Sequence, residues 1–211
     1  MSFFSPHVLR LRTKTEKHLE RASQPSASFF FLIGVAAAIA ALGLVLDNTA
    51  IVIGAMVVAP LVTPVFAFAL SVLLLRIRQA GRSLLTLFLG TVLAIVVAAV
   101  IGHLVLLIEG EAIRATEEIL ARTKPDLFFF LVALFSGLAG AYAYSRPQIM
   151  ESITGIAISV AIIPPLAVVG LEIAMRDYTL IGQSFLLYLF NLAGIIFGSI
   201  VMFIILGFGK E

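Results

Sequence analysis

Residues Asp47 to Ser71 read DNTAIVIGAMVVAPLVTPVFAFALS, and Asp47 is the single charge in the stretch. A run of roughly 20 apolar residues matches the hydrocarbon thickness of a bilayer when helical, so the stretch reads as a membrane crossing. Pro60 and Pro64 fall near its middle. A proline has no N–H for the carbonyl four residues back, and its ring pushes on that turn, so the carbonyls of Met56 and Pro60 are expected to lose their helical partners. Freed carbonyls are tolerated at membrane depth only inside protein or beside a water-filled cavity, or with a hydroxyl such as that of Thr63 as partner. The reading is therefore a broken membrane helix, with Gly54 and Ala55 small enough to let its pieces approach a neighbour closely.

The rest of the chain agrees with that medium. Of 211 residues, 61% are hydrophobic and 12% are charged, about half the ~25% charged content of a soluble domain. Apolar runs fall at about 28–46, 51–75, 83–108, 127–144, 152–175 and 180–208, which predicts six crossings. A membrane domain, residues 28–208, follows a basic arm, residues 1–27. Between the third and fourth runs, Ile113, Ile119 and Leu120 recur at near-helical spacing among charges and predict a short interfacial helix. Cysteine is absent, which removes thiolate metal sites, disulfides and cysteine nucleophiles.

The second half repeats the first. Phe29 to Leu32 (FFFL) opens span one and Phe128 to Leu131 (FFFL) opens span four. Thr49 to Leu61 (TAIVIGAMVVAPL) resembles Thr154 to Leu166 (TGIAISVAIIPPL), and Leu84 to Phe88 (LLTLF) resembles Leu186 to Phe190 (LLYLF). Three matches in order, each roughly a hundred residues apart, indicate a duplicated unit. A unit of three spans forces the second copy to enter the membrane from the opposite face. The expected fold is thus an all-α integral membrane protein of six transmembrane helices in two inverted three-helix repeats. Helices two and five are proline-broken, repeat one covers 28–108, the connector 109–125 and repeat two 126–208.

Lys and Arg set the orientation. Arg10, Arg12, Lys14, Lys17, Arg21, Arg76, Arg78, Arg82, Arg146 and Lys210 lie on one side, against Arg114, Arg122, Lys124 and Arg176 on the other. Both termini are expected in the cytoplasm and Asp47 and Asn48 at the outer rim. Residues before Phe29 are too polar for a cleaved signal, so span one reads as a signal anchor. Val8, Leu9, Leu11 and Leu19 alternate with the cations of the arm, which reads either as an amphipathic helix on anionic lipid or as a solvated tail. The basic residues lack aromatic interleaving, so the expected partners are the lipid bilayer, other copies of the chain and a small ion or solute, not nucleic acid.

Span five carries Pro164 and Pro165, whose missing donors expose the carbonyls of Val160 and Ala161, with the Ser159 hydroxyl nearby. Two readings are open for the paired breaks: packed kinks, or the meeting point of a path lined by Gly54, Met56, Pro60, Thr63, Pro64, Ser159, Val160, Ala161, Pro164 and Pro165. Glu172 lies within span five with Arg176 four residues on, which reads as an interfacial ion pair or as a proton or cation site. His103 in span three reads as a packing residue or a titrating one. Asp47 and Asn48 have the chemistry of helix caps, and Asn191 in span six needs a partner on a neighbouring helix. Gly194 and Gly198, and the pairs Gly34/Ala38 and Gly137/Ala141, read as helix contacts within or between subunits. No P-loop, dinucleotide fingerprint, metal-binding His pair or Ser-His-acid set is present, so neither an enzyme nor a cofactor is expected.

Asp47 to Ser71, together with Gly155 to Leu171 (GIAISVAIIPPLAVVGL), resembles the signature of the prokaryotic hydrophobic domain-of-unknown-function family 389. The resemblance covers about Ser28 to Phe208, and its motif falls on Asn48, Gly54, Met56, Pro60, Pro64, Pro164 and Pro165. It implies a multi-span protein of the prokaryotic inner membrane and brings no settled biochemical activity. The expected function is that of a transporter or channel for a small ion or solute. The alternative is a scaffold or sensor working through the basic arm.

Overall fold

The computed structural model describes residues 15–17, 19, 24–110, 114–146, 162–176 and 178–209. The helices are α1 (Ala27–Val45), α2 (Thr49–Val58), α3 (Val62–Leu73), α4 (Ile77–Glu109), α5 (Glu117–Leu120), α6 (Leu127–Tyr144), α7 (Ile163–Met175) and α8 (Ile181–Ile205). No strand occurs among the described residues. Each start has a local cause. Ser26 caps α1 by accepting from the Phe29 N–H at 3.1 Å, Asn48 caps α2 through the Ile51 N–H at 3.2 Å, and Asp126 caps α6 through the Phe128 N–H at 3.3 Å. At its far end α4 stops on Gly110, whose φ of 69° is the left-handed conformation that glycine adopts without a Cβ clash.

α1, α4, α6 and α8 are each long and apolar enough to cross a membrane. α2 and α3 together make a fifth such element, bent by 52° at the break between them. α7 has 13 residues, about 20 Å of helix, and is too short to cross alone. Residues 147–161, which include Ser159, Val160, Ala161, Gly155 and Ala157, lie outside the described residues, as do 1–14 of the arm and Ile113 of the connector. α4 starts at Ile77 and not near Ser83, so Arg78 and Arg82 stand in its first turns and not in a loop. Long cationic side chains reach back to water from such positions, which lets the helix extend into the interface. In the connector the described helix is the single turn of α5.

Small residues set the packing. A Cβ on Gly194 would lie 2.8 Å from the Phe130 carbonyl, and one on Gly198 would collide with the backbone of Leu134. Gly137 likewise has no room against Ile195. The Gly194/Gly198 pair is therefore spent inside the chain, holding α8 along α6, and the order of the contacts makes those two helices parallel. α1 and α4 are also parallel, with Phe29 near Gly90 and Gly34 near Val97. α7 runs along α4: Gly170 fits against Ile95 and Ala98, and Gly102 against Ala174. The alanines facing these seams, Ala36, Ala37, Ala40, Ala41, Ala94 and Ala98, are fully buried. With no hydrophobic drive between helices in lipid, this close backbone approach supplies the dispersion that joins them.

Candidate functional site

The break between α2 and α3 occupies Ala59, Pro60 and Leu61. Ala59 takes the extended conformation that a following proline imposes, with ψ of 119°. Pro60 cannot donate to Met56, but its own carbonyl accepts from the Thr63 N–H at 3.3 Å, so the chain turns and restarts as α3. Pro64 falls in the first turn of α3, where a missing N–H is harmless. The Thr63 hydroxyl does not serve the freed carbonyls by any bond found here. It shares a 2.6 Å hydrogen bond with the Tyr144 hydroxyl at the end of α6, whose ring packs edge-on to Phe66 at 4.9 Å.

Leu61 lies against the middle of α4, where a Cβ on Gly90 would stand 3.0 Å from Leu61 Cδ2 and 3.2 Å from the Phe29 ring. α7 begins at nearly the same height. Ile163 precedes Gly170 by seven residues, about 10 Å of helix, which brings it from the Ile95–Ala98 level down to the Gly90–Thr91 level. Pro164 and Pro165 fill the first turn of α7 and are buried. Thr91 and Tyr188 share a buried 2.8 Å hydrogen bond at this depth and tie α4 to α8. Thus the break of one element and the start of another converge on the centre of α4.

A cavity of about 210 Å³ opens from this zone toward the connector, lined by Arg122, Phe129, Val132, Pro165, Leu187 and Asn191 among others. Asn191 is 3% exposed. It lies ten residues into α8, about 15 Å from the helix start, whereas Arg122 stands at the connector end. A polar network fixes that end. Arg122 Nη1 meets Glu118 Oε2 at 2.6 Å, the Thr49 hydroxyl donates to Glu118 Oε1 at 2.6 Å, and the Glu118 N–H donates to Asp47 Oδ1 at 2.9 Å. Thr116 donates to the Leu44 carbonyl at 2.7 Å, so the connector is clamped on the α1–α2 hairpin. Asp47 thus caps α5 and Asn48 caps α2, while Asp47 holds a φ of 50°, left-handed as aspartate tolerates.

The other sequence-selected residues scatter. Gly54 is exposed, with nothing within 4 Å of where a Cβ would be, so among the described residues it makes no close helix approach. Met56 is buried. His103 is exposed on α4, its Nδ1–H donating to the Ala99 carbonyl at 2.8 Å. Glu172 is buried at 1% exposure, and Arg176 is the exposed C-cap of α7 with φ of 56°. Among the described residues no three His, Asp or Glu side chains cluster as a metal site would need. Arg122 and the buried face of Leu187 had no signal in the sequence, since the cavity joins three segments far apart in the chain.

At the opposite end, Leu19 of the arm is 1% exposed, and Glu16 pairs with Arg76 at 2.7 Å. Leu19 lies beside Ala67, Leu70 and Leu74 of the α3 end. At Glu16 and Leu19 the arm is held on the helices.

Comparison with known proteins gives a family without an assigned activity. An uncharacterized protein of Methanocaldococcus jannaschii is 29% identical over 166 residues, which is 78% of this chain and 50% of that protein. The chain therefore spans about half the length of the curated relative it matches. No solved structure matches. Residues 56–197, about two thirds of the chain and the span that holds the α2–α3 break, the α7 prolines and the cavity, match the family described as Domain of unknown function (DUF389), and the chain belongs to that family.

Proposed function

We propose that the protein is a multi-pass transporter or channel of the prokaryotic inner membrane, both termini cytoplasmic, that moves a small ion or solute past the centre of α4. The observation that carries the reading is that Leu61, at the α2–α3 break, packs on Gly90 while α7 begins with its prolines at about the same height along α4, beside a cavity reaching the connector end. Irregular backbone at membrane depth is stable where it lines a cavity, and half-helices that begin at the midplane are how secondary transporters build a substrate site.

Helix directions support two inverted repeats. In the first, α1 and α4 run parallel with the half-helix α3 between α4 and α8; in the second, α6 and α8 run parallel with the half-helix α7 between α8 and α4. The ten-to-four division of basic residues then puts the cavity mouth outside the cell. A scaffold or sensor acting through the arm has less behind it, because Leu19 and Glu16 are engaged with the bundle and not presented to a partner.

Flux in proteoliposomes against K⁺, Na⁺, H⁺, Mg²⁺, Cl⁻ and small organic anions tests the reading, with Pro60→Ala/Pro165→Ala and Glu172→Gln variants alongside. Selective flux that falls in the double proline variant, with folding retained, is the expected result. A folded protein that passes no member of the panel sinks the proposal.

A further inference from the structure

The geometry points to a substrate class: we infer that the cavity between α6, α8 and the connector binds a small organic monoanion with an apolar body. The inference rests on the transport reading for its purpose but on the cavity alone for its chemistry. Among the described residues that line it, Arg122 is the one charged group and none is acidic. The Arg122 side chain is 19% exposed, and both its ion pair with Glu118 Oε2 and its hydrogen bond to the Glu118 backbone carbonyl at 3.1 Å use Nη1. The Nε and Nη2 edges remain for a second acceptor, and a planar fork suits a carboxylate better than a spherical ion.

Glu118 acts as the anchor of this arrangement. Held by Thr49 and by Arg122, it fixes the guanidinium at the mouth and offsets its charge, so an anion bound there meets preorganised donors and not a large excess of positive charge. Below Arg122 the lining is apolar, with the buried Leu187 on α8 facing Phe129 and Val132, which stand partly exposed on α6, and the buried Asn191 lies deeper along α8 with Pro165. A hydrated inorganic ion would have to shed water against those walls. The size agrees: 210 Å³ equals about seven waters at ~30 Å³ each, room for a compact carboxylate and far too little for a two-chain lipid.

The test uses the full chain in detergent, with thermal melting against benzoate, its cationic counterpart benzylamine, chloride and phosphatidylglycerol. Benzoate is expected to stabilise the protein saturably and benzylamine not at all. Arg122→Gln weakens benzoate about tenfold to a hundredfold, as loss of a charge-assisted contact does, and Arg122→Lys by less. Since Arg122→Gln also removes the partner of Glu118, Val132→Trp provides a second variant that fills the cavity and leaves the ion pair in place; it too abolishes the benzoate effect. Equal stabilisation by benzylamine, a response to phosphatidylglycerol alone, or wild-type benzoate affinity in Val132→Trp overturns the inference. Cation flux in proteoliposomes without benzoate binding would overturn it while leaving transport standing, whereas Arg122-dependent benzoate binding without any flux would sustain it and remove the transport reading.

Discussion

Leu61 and Gly90 meet so closely that a single Cβ on Gly90 would stand 3.0 Å from Leu61 Cδ2, with the Phe29 ring 3.2 Å away on the other side. The glycine lets the backbone break of one element sit directly on the centre of the longest helix. Gly90→Val should cost about 1–3 kcal/mol through overpacking, read as a lower melting temperature in detergent, and should reduce flux more than it reduces stability. Unchanged stability and flux would mean that the break does not depend on this contact.

Two glycines in opposite environments give an internal control. Gly170→Ala puts a methyl 2.5 Å from the Ala98 Cβ and the Ile95 carbonyl, so α7 must move off α4, whereas Gly54→Ala meets nothing within 4 Å. We expect Gly170→Ala to destabilise by roughly 1–3 kcal/mol and Gly54→Ala to stay within about half a kcal/mol of the parent or gain slightly from helix propensity. Chemical unfolding in mixed micelles reads both. If Gly54→Ala proves the more damaging, the exposed face of α2 is covered by another copy of the chain.

Thr63 and Tyr144 join α3 to α6 across 81 positions of sequence by a 2.6 Å hydrogen bond. A double-mutant cycle of Thr63→Val and Tyr144→Phe should give a coupling of about 1 kcal/mol, within the range of interhelical hydrogen bonds in membranes. A coupling indistinguishable from zero would show that the two hydroxyls exchange to other partners.

Asp47 accepts from the Glu118 N–H and so holds α5 on the α1–α2 hairpin. Asp47→Ala should release the connector and speed amide exchange at Glu117 to Leu120, while Asp47→Asn, which keeps both the acceptor and the tolerance of a positive φ, should change it little. Hydrogen exchange that is equally slow in both variants would place the hold on the connector in the Thr116–Leu44 and Thr49–Glu118 bonds.

How far the sequence could be read follows from what membrane helices write into it. Apolar length and the caps at Ser26, Asn48 and Asp126 are local, so the crossings at α1, α6 and α8 and the start of α2 were legible. Pro60 marked in the sequence the place where α2 and α3 meet at 52°. The direction a residue faces was not legible. In a helix that is apolar all round, periodicity carries no signal for the buried face, which is why Gly54 was read as a contact and is exposed, and why the Gly194/Gly198 pair gave no hint whether its partner was α6 or another subunit. The cavity was equally hidden, because Arg122, Pro165 and Asn191 come together only when the connector, α7 and α8 are packed. Arg122 had been a count in a charge balance, and its place beside Asn191 follows from the Asp47 and Thr49 contacts that fix the connector.

The central claim is that water and solute reach the midplane from the connector end, and the chain's lack of cysteine makes it directly measurable. Single variants Leu187→Cys and Asn191→Cys, reconstituted in sealed vesicles, are exposed to a membrane-impermeant maleimide, with Ile33→Cys in the fully buried α1 seam as the control. The account predicts that Leu187→Cys and Asn191→Cys are labelled from the connector side, that benzoate slows the labelling, and that Ile33→Cys stays unlabelled. If Asn191→Cys is as inert as Ile33→Cys in a folded protein from either side, no aqueous path reaches the start of α7, and the breaks at Leu61 and Pro165 are packing features of a protein that does not transport.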